Sequence, residues 1–350
     1  MDLKKLLTYT TFHKASDLHL SSDNYPQMRV DGYLQQVDYK KISGSEIKTL
    51  LSPYLTESDW QSLKGGKELD MAIEIEKVSR FRVNIFNSMG ELSAVFRTIP
   101  TTIPELASLN SPNILKELIQ KERGLILVTG ATGSGKSTTI ASMINEINIQ
   151  NSKHIITIED PVEFVHKSKK SLIRHRNIGE DSLSFQTALK YVLRQDPDVI
   201  LIGEMRDRET IESAITVAET GHLVFGTLHT NSAHQTINRV IDVFDSGKQN
   251  QIRMQLSSTL LAVISQTLIP KVDGGRVAVF ETLINTTGVG NLIRENKTHQ
   301  LLSQMQINQN ETGMRTQSQE ILRLLKDGVI TEESALKYSN DPDEVKRGIG

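Results

Sequence analysis

The stretch LILVTGATGSGKSTTIASMINEI, Leu125–Ile147, holds the fold in miniature. LILV, Leu125–Val128, is a short continuous apolar run, the pattern of a strand buried on both faces. GATGSGKST, Gly130–Thr138, then fits G-x-x-x-x-G-K-[ST] through Gly130, Gly135, Lys136 and Ser137, and TTIASMINEI continues as a helix. A glycine-rich turn with a surface lysine would match the same letters. Strand, glycine loop and helix in that order is the context a phosphate-binding loop requires. Glycines let backbone N–H groups close around phosphate oxygens, helped by the helix N-terminus. The run Gly130, Ala131, Thr132, Gly133, Ser134, Gly135, Lys136, Ser137, Thr138 is therefore the candidate nucleotide cradle. In such a loop the lysine, here Lys136, reaches the β- and γ-phosphates, and the hydroxyl, here Ser137, ligates Mg²⁺.

Three more apolar runs follow: IITI (155–158), VILI (199–202) and LVFGTL (223–228). Separated by amphipathic segments, they predict an α/β domain with a parallel sheet covered on both faces. Ligands of open α/β sheets bind outside the carboxyl ends of the strands. IITI leads there to Glu159, Asp160 and Glu163; VILI leads through Gly203 to Glu204. An acid in that place holds Mg²⁺ through water or takes a proton from an attacking water. Glu204, set one residue past the strand, suits a base more than a direct ligand. Glu163 is the second candidate, and Glu159 and Asp160 compete with a plain solvated loop. LVFGTL lies between His222 and His229. Seven residues of strand put these rings roughly 20 Å apart, and the odd spacing turns them to opposite faces. That separation argues against a shared metal. His229, at the carboxyl end, is the candidate to donate to a phosphate oxygen. His222 fixes the strand's entry or reaches an adjacent subunit.

Ahead of this domain, residues 1–97 read as α+β. DLHLS (17–21), QMRVDGYLQQV (27–37), SRFRVNIF (79–86) and LSAVFRTI (92–99) look like strands, with Asp31-Gly32 as a hairpin turn. Residues 2–14 and 44–64 look helical. In SRFRVNIF the apolar Phe81, Val83 and Ile85 alternate with Arg80, Arg82 and Asn84, so the arginines project away from the buried face. Pro100 and Pro104 mark a linker over 98–110. Ser111-Pro112 reads as a helix start that Gly124 closes. The α/β domain then spans 111–285, and a polar helical region 286–350.

The chain has 350 residues, a net charge of −2 and no cysteine. Near-neutral charge offers no global field for nucleic acid or acidic lipid. Lack of cysteine excludes disulfides and thiolate zinc sites and suits a reducing cytosol. No apolar run approaches the ~20 residues of a membrane span, and MDLKKLLTYTTFHKASD has no signal-peptide pattern. Any membrane role is expected through a partner.

Taken together, GATGSGKST, ITIEDPVEF (156–164), DPDVILIGEMRD (196–207) and GHLVFGTLHTNSA (221–233) resemble the motifs of the secretion-superfamily ATPases, most closely the type IV pilus retraction ATPases. DLHL, RVDG, RFRVN, AVFRTIP and VISQTLIPK are similar to that family as well, so the resemblance covers nearly the whole chain. It implies a PAS-like N-terminal domain and a RecA-like P-loop domain, with ATP bound between them and Mg²⁺ as cofactor. It also implies a homohexameric cytoplasmic motor that acts at the inner membrane on a pilus platform protein, beside an accessory retraction ATPase. Carried over by motif position, Arg82 and Arg97 are the candidates to reach the nucleotide, and Arg80, on the same face, is not separated from Arg82 by the sequence. Two departures stand out. Ala131 replaces the family's usual proline, and GVGNLIRE (288–295) matches the retraction motif only from Asn291, with Gly290 in place of its arginine. The extension ATPases of the superfamily carry a tetracysteine zinc motif that this chain lacks.

A phosphate loop alone also permits a small-molecule kinase. The run HKSKKSLIRHR (166–176), with five Lys/Arg, permits phosphate tracking by a nucleic-acid motor. No aromatic stacking platform follows that run, so a solvated or subunit-contacting loop is its plainer reading.

Overall fold

The computed structural model describes residues 2–30, 32–99, 102–307 and 309–349. The chain divides into two compact units, Met1–Thr102 with Glu163–Val165, and Ile103–Val162 with His166–Gly350. The expected turn residue Asp31 and the linker residue Pro100 lie outside the described residues.

The first unit runs α1 (Leu3–Phe12), β1 (Asp17–Ser21), β2 (Gln27–Val30), β3 (Tyr33–Gln36), α2 (Gly44–Leu51), α3 (Glu57–Lys64), β4 (Leu69–Ile75), β5 (Ser79–Ser88) and β6 (Glu91–Ile99). Its antiparallel sheet has the order β3-β2-β1-β6-β5-β4. Leu18, Phe81, Val83 and Phe96 face Leu6 of α1 and Ile47 of α2 in one core. The helix expected over 44–64 is two helices. Each starts with its own capping box, Ser43 with Glu46 and Thr56 with Asp59, and a short 3₁₀ turn at Ser52–Tyr54 lies between them.

The second unit runs α4 (Ile114–Leu118), β7 (Gly124–Thr129), α5 (Lys136–Gln150), β8 (His154–Glu159), β9 (Leu172–Asn177), α6 (Phe185–Val192), β10 (Val199–Ile202), α7 (Arg208–Glu219), β11 (Leu223–Leu228), α8 (Ala233–Asp242), α9 (Ser246–Thr259), β12 (Leu260–Pro270) and β13 (Arg276–Ile284). The sheet order is β13-β12-β7-β11-β10-β8-β9, parallel throughout except for β13. Successive residues of one strand feed different cores. Leu125 and Leu127 pack with α7 and α8, while Ile126 and Val128 pack with α4 and α5. That double burial is why the central strands read as unbroken apolar runs.

Two expectations are corrected here. Ser111 does not cap a helix. Its Oγ donates to the Leu106 carbonyl at 2.7 Å, α4 begins after Asn113 without a side-chain cap, and Gly124 opens β7 at φ 123°. The basic run 166–176 is also not all loop, because Leu172–Asn177 form β9, paired with β8 at the sheet edge. An edge strand with few buried positions and several charges shows no apolar run.

A helical region completes the unit: α10 (Thr287–Arg294), α11 (Leu301–Met305), α12 (Gln309–Thr312), α13 (Gln317–Lys326), α14 (Glu332–Tyr338) and α15 (Pro342–Ile349). Ile321 and Leu324 of α13 pack on Ile269 and Val279 of the sheet. Glu281, at the heart of β13, is buried. It accepts from Ala233 N at 2.5 Å and Gln317 N at 3.2 Å, the first turns of α8 and α13. Burial pushes its carboxyl up, partly offset by those two backbone donors. Gly290 of the altered GVGNLIRE segment is buried as well. A Cβ there would lie 3.2 Å from the Ser257 carbonyl and 3.3 Å from Asn285 Oδ1, so α10 packs closely on the end of α9 and a larger side chain requires those neighbours to shift by a few tenths of an ångström.

Candidate nucleotide site

The glycine loop joins β7 to α5 with Gly130, Gly133 and Gly135 at φ 141°, 79° and 89°. At Gly130 the loop passes directly over β12, where a Cβ would meet the Gln266 carbonyl at 2.3 Å. Lys136 is buried and its Nζ donates to the Gly130 and Ala131 carbonyls at 2.7 and 3.0 Å, which folds the loop around its own cation. Thr139 Oγ1 donates to Gln266 Oε1 at 2.7 Å, tying the first turn of α5 to β12. The hydroxyls of Thr129 and Ser134 are buried with no hydrogen-bond partner, two polar groups left over at the cradle. A cavity of about 270 Å³ opens beside the loop, lined by Gly135, Thr138, Thr139, Gln266, Lys271 and Arg276.

Parallel pairing sets the ends of β7, β11, β10 and β8 side by side, with Leu228 opposite Thr129, Gly226 opposite Ile202, and Ile202 opposite Ile158. Glu204 therefore emerges two strands from the glycine loop. Gly203 is needed just before it, because a Cβ there would lie 3.1 Å from Glu159 Cα and 3.2 Å from the Ile158 carbonyl. The strand exit is pinned by Gly203 N to Ile158 O at 2.8 Å, Met205 N to Thr227 O at 3.0 Å, and the Thr227 hydroxyl donating to the Gly203 carbonyl. Glu204 Oε1 meets His229 Nε2 at 2.9 Å and Arg206 Nε at 2.5 Å. Burial alone would raise the Glu204 carboxyl. Arg206 and His229 outweigh it and hold the group below the usual carboxylate range, so Glu204 is ionised at neutral pH. His229 thus stands at the carboxyl end of β11, in contact with an acid. His222 stands at the other end, its Nδ1 3.1 Å from the Val217 carbonyl of α7, while its own carbonyl accepts from Gly124 N. The two histidines stand at opposite ends of one strand.

Glu159 is the last residue of β8 and is buried; Asp160 is exposed, and Glu163 is half-buried in the segment that follows. In the first unit Arg82 and Arg97 lie directly opposite each other on β5 and β6. Like charges so placed repel, and each is held by an acid. Asp70 takes Arg82 in a two-pronged contact at 2.6 and 3.1 Å, and the buried Asp17 takes Arg97 Nε at 2.9 Å. Sequence reasoning missed Arg206 and Gln266. Arg206 showed only as one charge among several in GEMRDRE, and Gln266 lies in a distant strand whose register with β7 no local pattern gives. Among the described residues no group of three or more acidic, histidine or cysteine side chains forms a metal cage, and no helix is long and apolar enough to cross a membrane.

A RecA-like sheet with a glycine loop at its switch point and an ionised acid two strands away defines a P-loop ATPase. Residues 1–274 match the family model described as type II/IV secretion system protein. The type IV pilus retraction ATPase PilT of Pseudomonas aeruginosa is 45% identical over 343 residues, covering 98% of this chain and 99% of that protein. A twitching motility protein of Neisseria gonorrhoeae is 47% identical over 91% of this chain and 86% of its own length. The crystal structure of the pilus retraction motor PilT with bound ADP superposes with a TM-score of 0.91 at 46% identity, over 99% of both chains. The chain belongs to the type II/IV secretion system protein family.

Proposed function

We propose that this ATPase is a hexameric motor that powers retraction of type IV pili, working in the cytoplasm against a platform protein of the inner membrane and beside an accessory retraction ATPase. The observation that carries the chemistry is Glu204, ionised and paired with His229 and Arg206. Hydrolysis of a phosphoanhydride needs positioned charge more than a strong base. Glu204 orients the attacking water and accepts its proton, with Glu163 as the second acid. His229 donates to the γ-phosphate and shifts its bond with Glu204 when that phosphate leaves. Backbone N–H groups of Gly130–Thr138 bind the phosphates, with Lys136 turning from the loop carbonyls to them. Arg82 and Arg97 are the arginines that motif position assigns to the nucleotide.

Mg²⁺ fits this donor set. The ion takes few protein ligands and keeps waters and substrate phosphates, which suits the Ser137 hydroxyl with Glu204 through water and needs no cage. When bound, it neutralises charge on the β- and γ-phosphates. Phosphate release from Mg-ATP without any acceptor, measured for the parent and Glu204→Gln, tests the reading. Release that falls by at least about a hundredfold in the variant supports it. Release that survives moves the base to Glu163, and release only with an added acceptor makes the protein a kinase.

A further inference from the structure

The segment after β8 carries Glu163, and its backbone is tied on both sides to one face of β9. Val162 N donates to Asn177 Oδ1 at 2.8 Å, and His166 N donates to His175 Nε2 at 3.0 Å. Residues 175 and 177 are two apart on a strand, so both acceptors stand on the same face. Each is itself held. Since His175 Nε2 accepts, its proton sits on Nδ1, which lies 2.8 Å from Thr157 Oγ1 on β8 and donates to it. Asn177 is buried, and its Nδ2 donates to Glu180 Oε2 at 2.9 Å, which fixes the amide with its oxygen toward Val162. The Asn177 backbone is anchored in turn by N–H donation to Asp181 Oδ2 at 2.8 Å. The residues between the two ties are Glu163, Phe164 and Val165 alone.

We propose that His175 and Asn177 are positioning residues for hydrolysis, acting through the main chain on either side of Glu163. The proposal rests on the reading of Glu163 as a catalytic acid. A loop carboxylate with free backbone neighbours samples many positions, and a misplacement of about 1 Å costs on the order of a hundredfold in rate. Two side-chain acceptors on a rigid strand remove that freedom without touching substrate. Leucine at either site removes the acceptor. Glutamine at 175 restores both functions, with Oε1 accepting and Nε2 donating. Aspartate at 177 keeps the acceptor but sets a second carboxylate against Glu180.

The test is steady-state ATP hydrolysis by the full-length protein for the parent, His175→Leu, His175→Gln, Asn177→Leu and Glu163→Gln, and for the double variant His175→Leu/Glu163→Gln, with unfolding midpoints measured alongside. The expected result is a kcat loss of about ten- to a hundredfold for each leucine variant with KM for ATP unchanged, recovery in His175→Gln, and no further loss when His175→Leu is added to Glu163→Gln. If Glu163→Gln is inactive while both leucine variants keep full kcat, the clamp has no positioning role. Losses that multiply in the double variant place the effect of His175 elsewhere and overturn the proposal. If Glu163→Gln itself keeps full activity, the reading of Glu163 fails and the clamp falls with it. If KM and unfolding midpoint move with kcat in both leucine variants and glutamine does not rescue, the bonds are structural only.

Discussion

Replacing Gly130 by alanine tests the joint between the phosphate loop and β12. The added Cβ would sit 2.3 Å from the Gln266 carbonyl oxygen and 2.6 Å from Ser134 Oγ, at a φ of +141°. The Ser134 hydroxyl can turn away. The Gln266 carbonyl cannot, because β12 is locked in register with β7 at the preceding residue, Ser265 opposite Thr129. Gly133, in the same loop at φ +79°, has nothing within 4 Å of its own added Cβ. Gly133→Ala therefore carries backbone strain alone, about 1–2 kcal/mol. Gly130→Ala carries backbone strain of about 1–3 kcal/mol and overpacking of another ~1–3 kcal/mol, together about 2–6 kcal/mol. Urea unfolding followed by far-ultraviolet circular dichroism reads the difference. The one tryptophan, Trp60, lies in the first unit and is no reporter for the loop. The expected order is parent, then Gly133→Ala, then Gly130→Ala, the last also losing binding of a fluorescent ATP analogue. Equal stability of the two alanine variants would refute the close approach of Gly130 to β12.

Two further outcomes concern pH. Arg206 is the main group holding the Glu204 carboxyl low against its burial, so Arg206→Ala moves the acid limb of the hydrolysis profile to higher pH; an unmoved limb would mean Glu204 is not the group titrating. His166 is buried and has its pKa lowered from 6.5 to about 4, by burial first, then by His175 and Lys169. The unfolded chain takes up that proton near pH 6.5 and the folded chain only near pH 4. This contribution is therefore complete above pH 6.5 and falls away as pH drops toward 4, by about 2 kcal/mol between pH 6.5 and 5. His19 and His234 are lowered in the same direction, so urea midpoints of His166→Gln decline over that range with a shallower slope than the parent. Identical slopes would sink the assignment.

The central strands and the glycine loop were legible in the sequence because double burial and the phosphate loop's backbone geometry each impose their own residue types. VILI and LVFGTL coincide with β10 and β11 residue for residue. The alternation of Phe81, Val83 and Ile85 with Arg80 and Arg82 matches the burial of β5. What escaped were elements whose pattern is weak for a physical reason. The strand β9 is a charged edge. The strand β4 is only partly buried, with Ile73 and Ile75 its core residues. β12 continues a helix directly, Thr259 to Leu260, with no turn residue between. The partners of the candidate site residues escaped as well. Asp17 and Asp70 are brought to their arginines by strand pairing, Arg206 to Glu204 by a pinned strand exit, and His175 and Asn177 to the Glu163 segment by the register of an edge strand.

Glu281 gives the C-terminal region a meaning that its polar, helical sequence conceals. One buried carboxylate closes the open N-termini of two helices at once, one directly after the His229 loop and one more than eighty residues later in the chain. Remove either helix and an acid is stranded in an apolar interior with half its donors gone. The region is thus not modular. A chimera of two relatives joined between β13 and α13 inherits one half of a two-sided lock, whereas a junction ahead of β7 carries the lock across whole. Exchange between members of this family is penalised at the far end of the second unit.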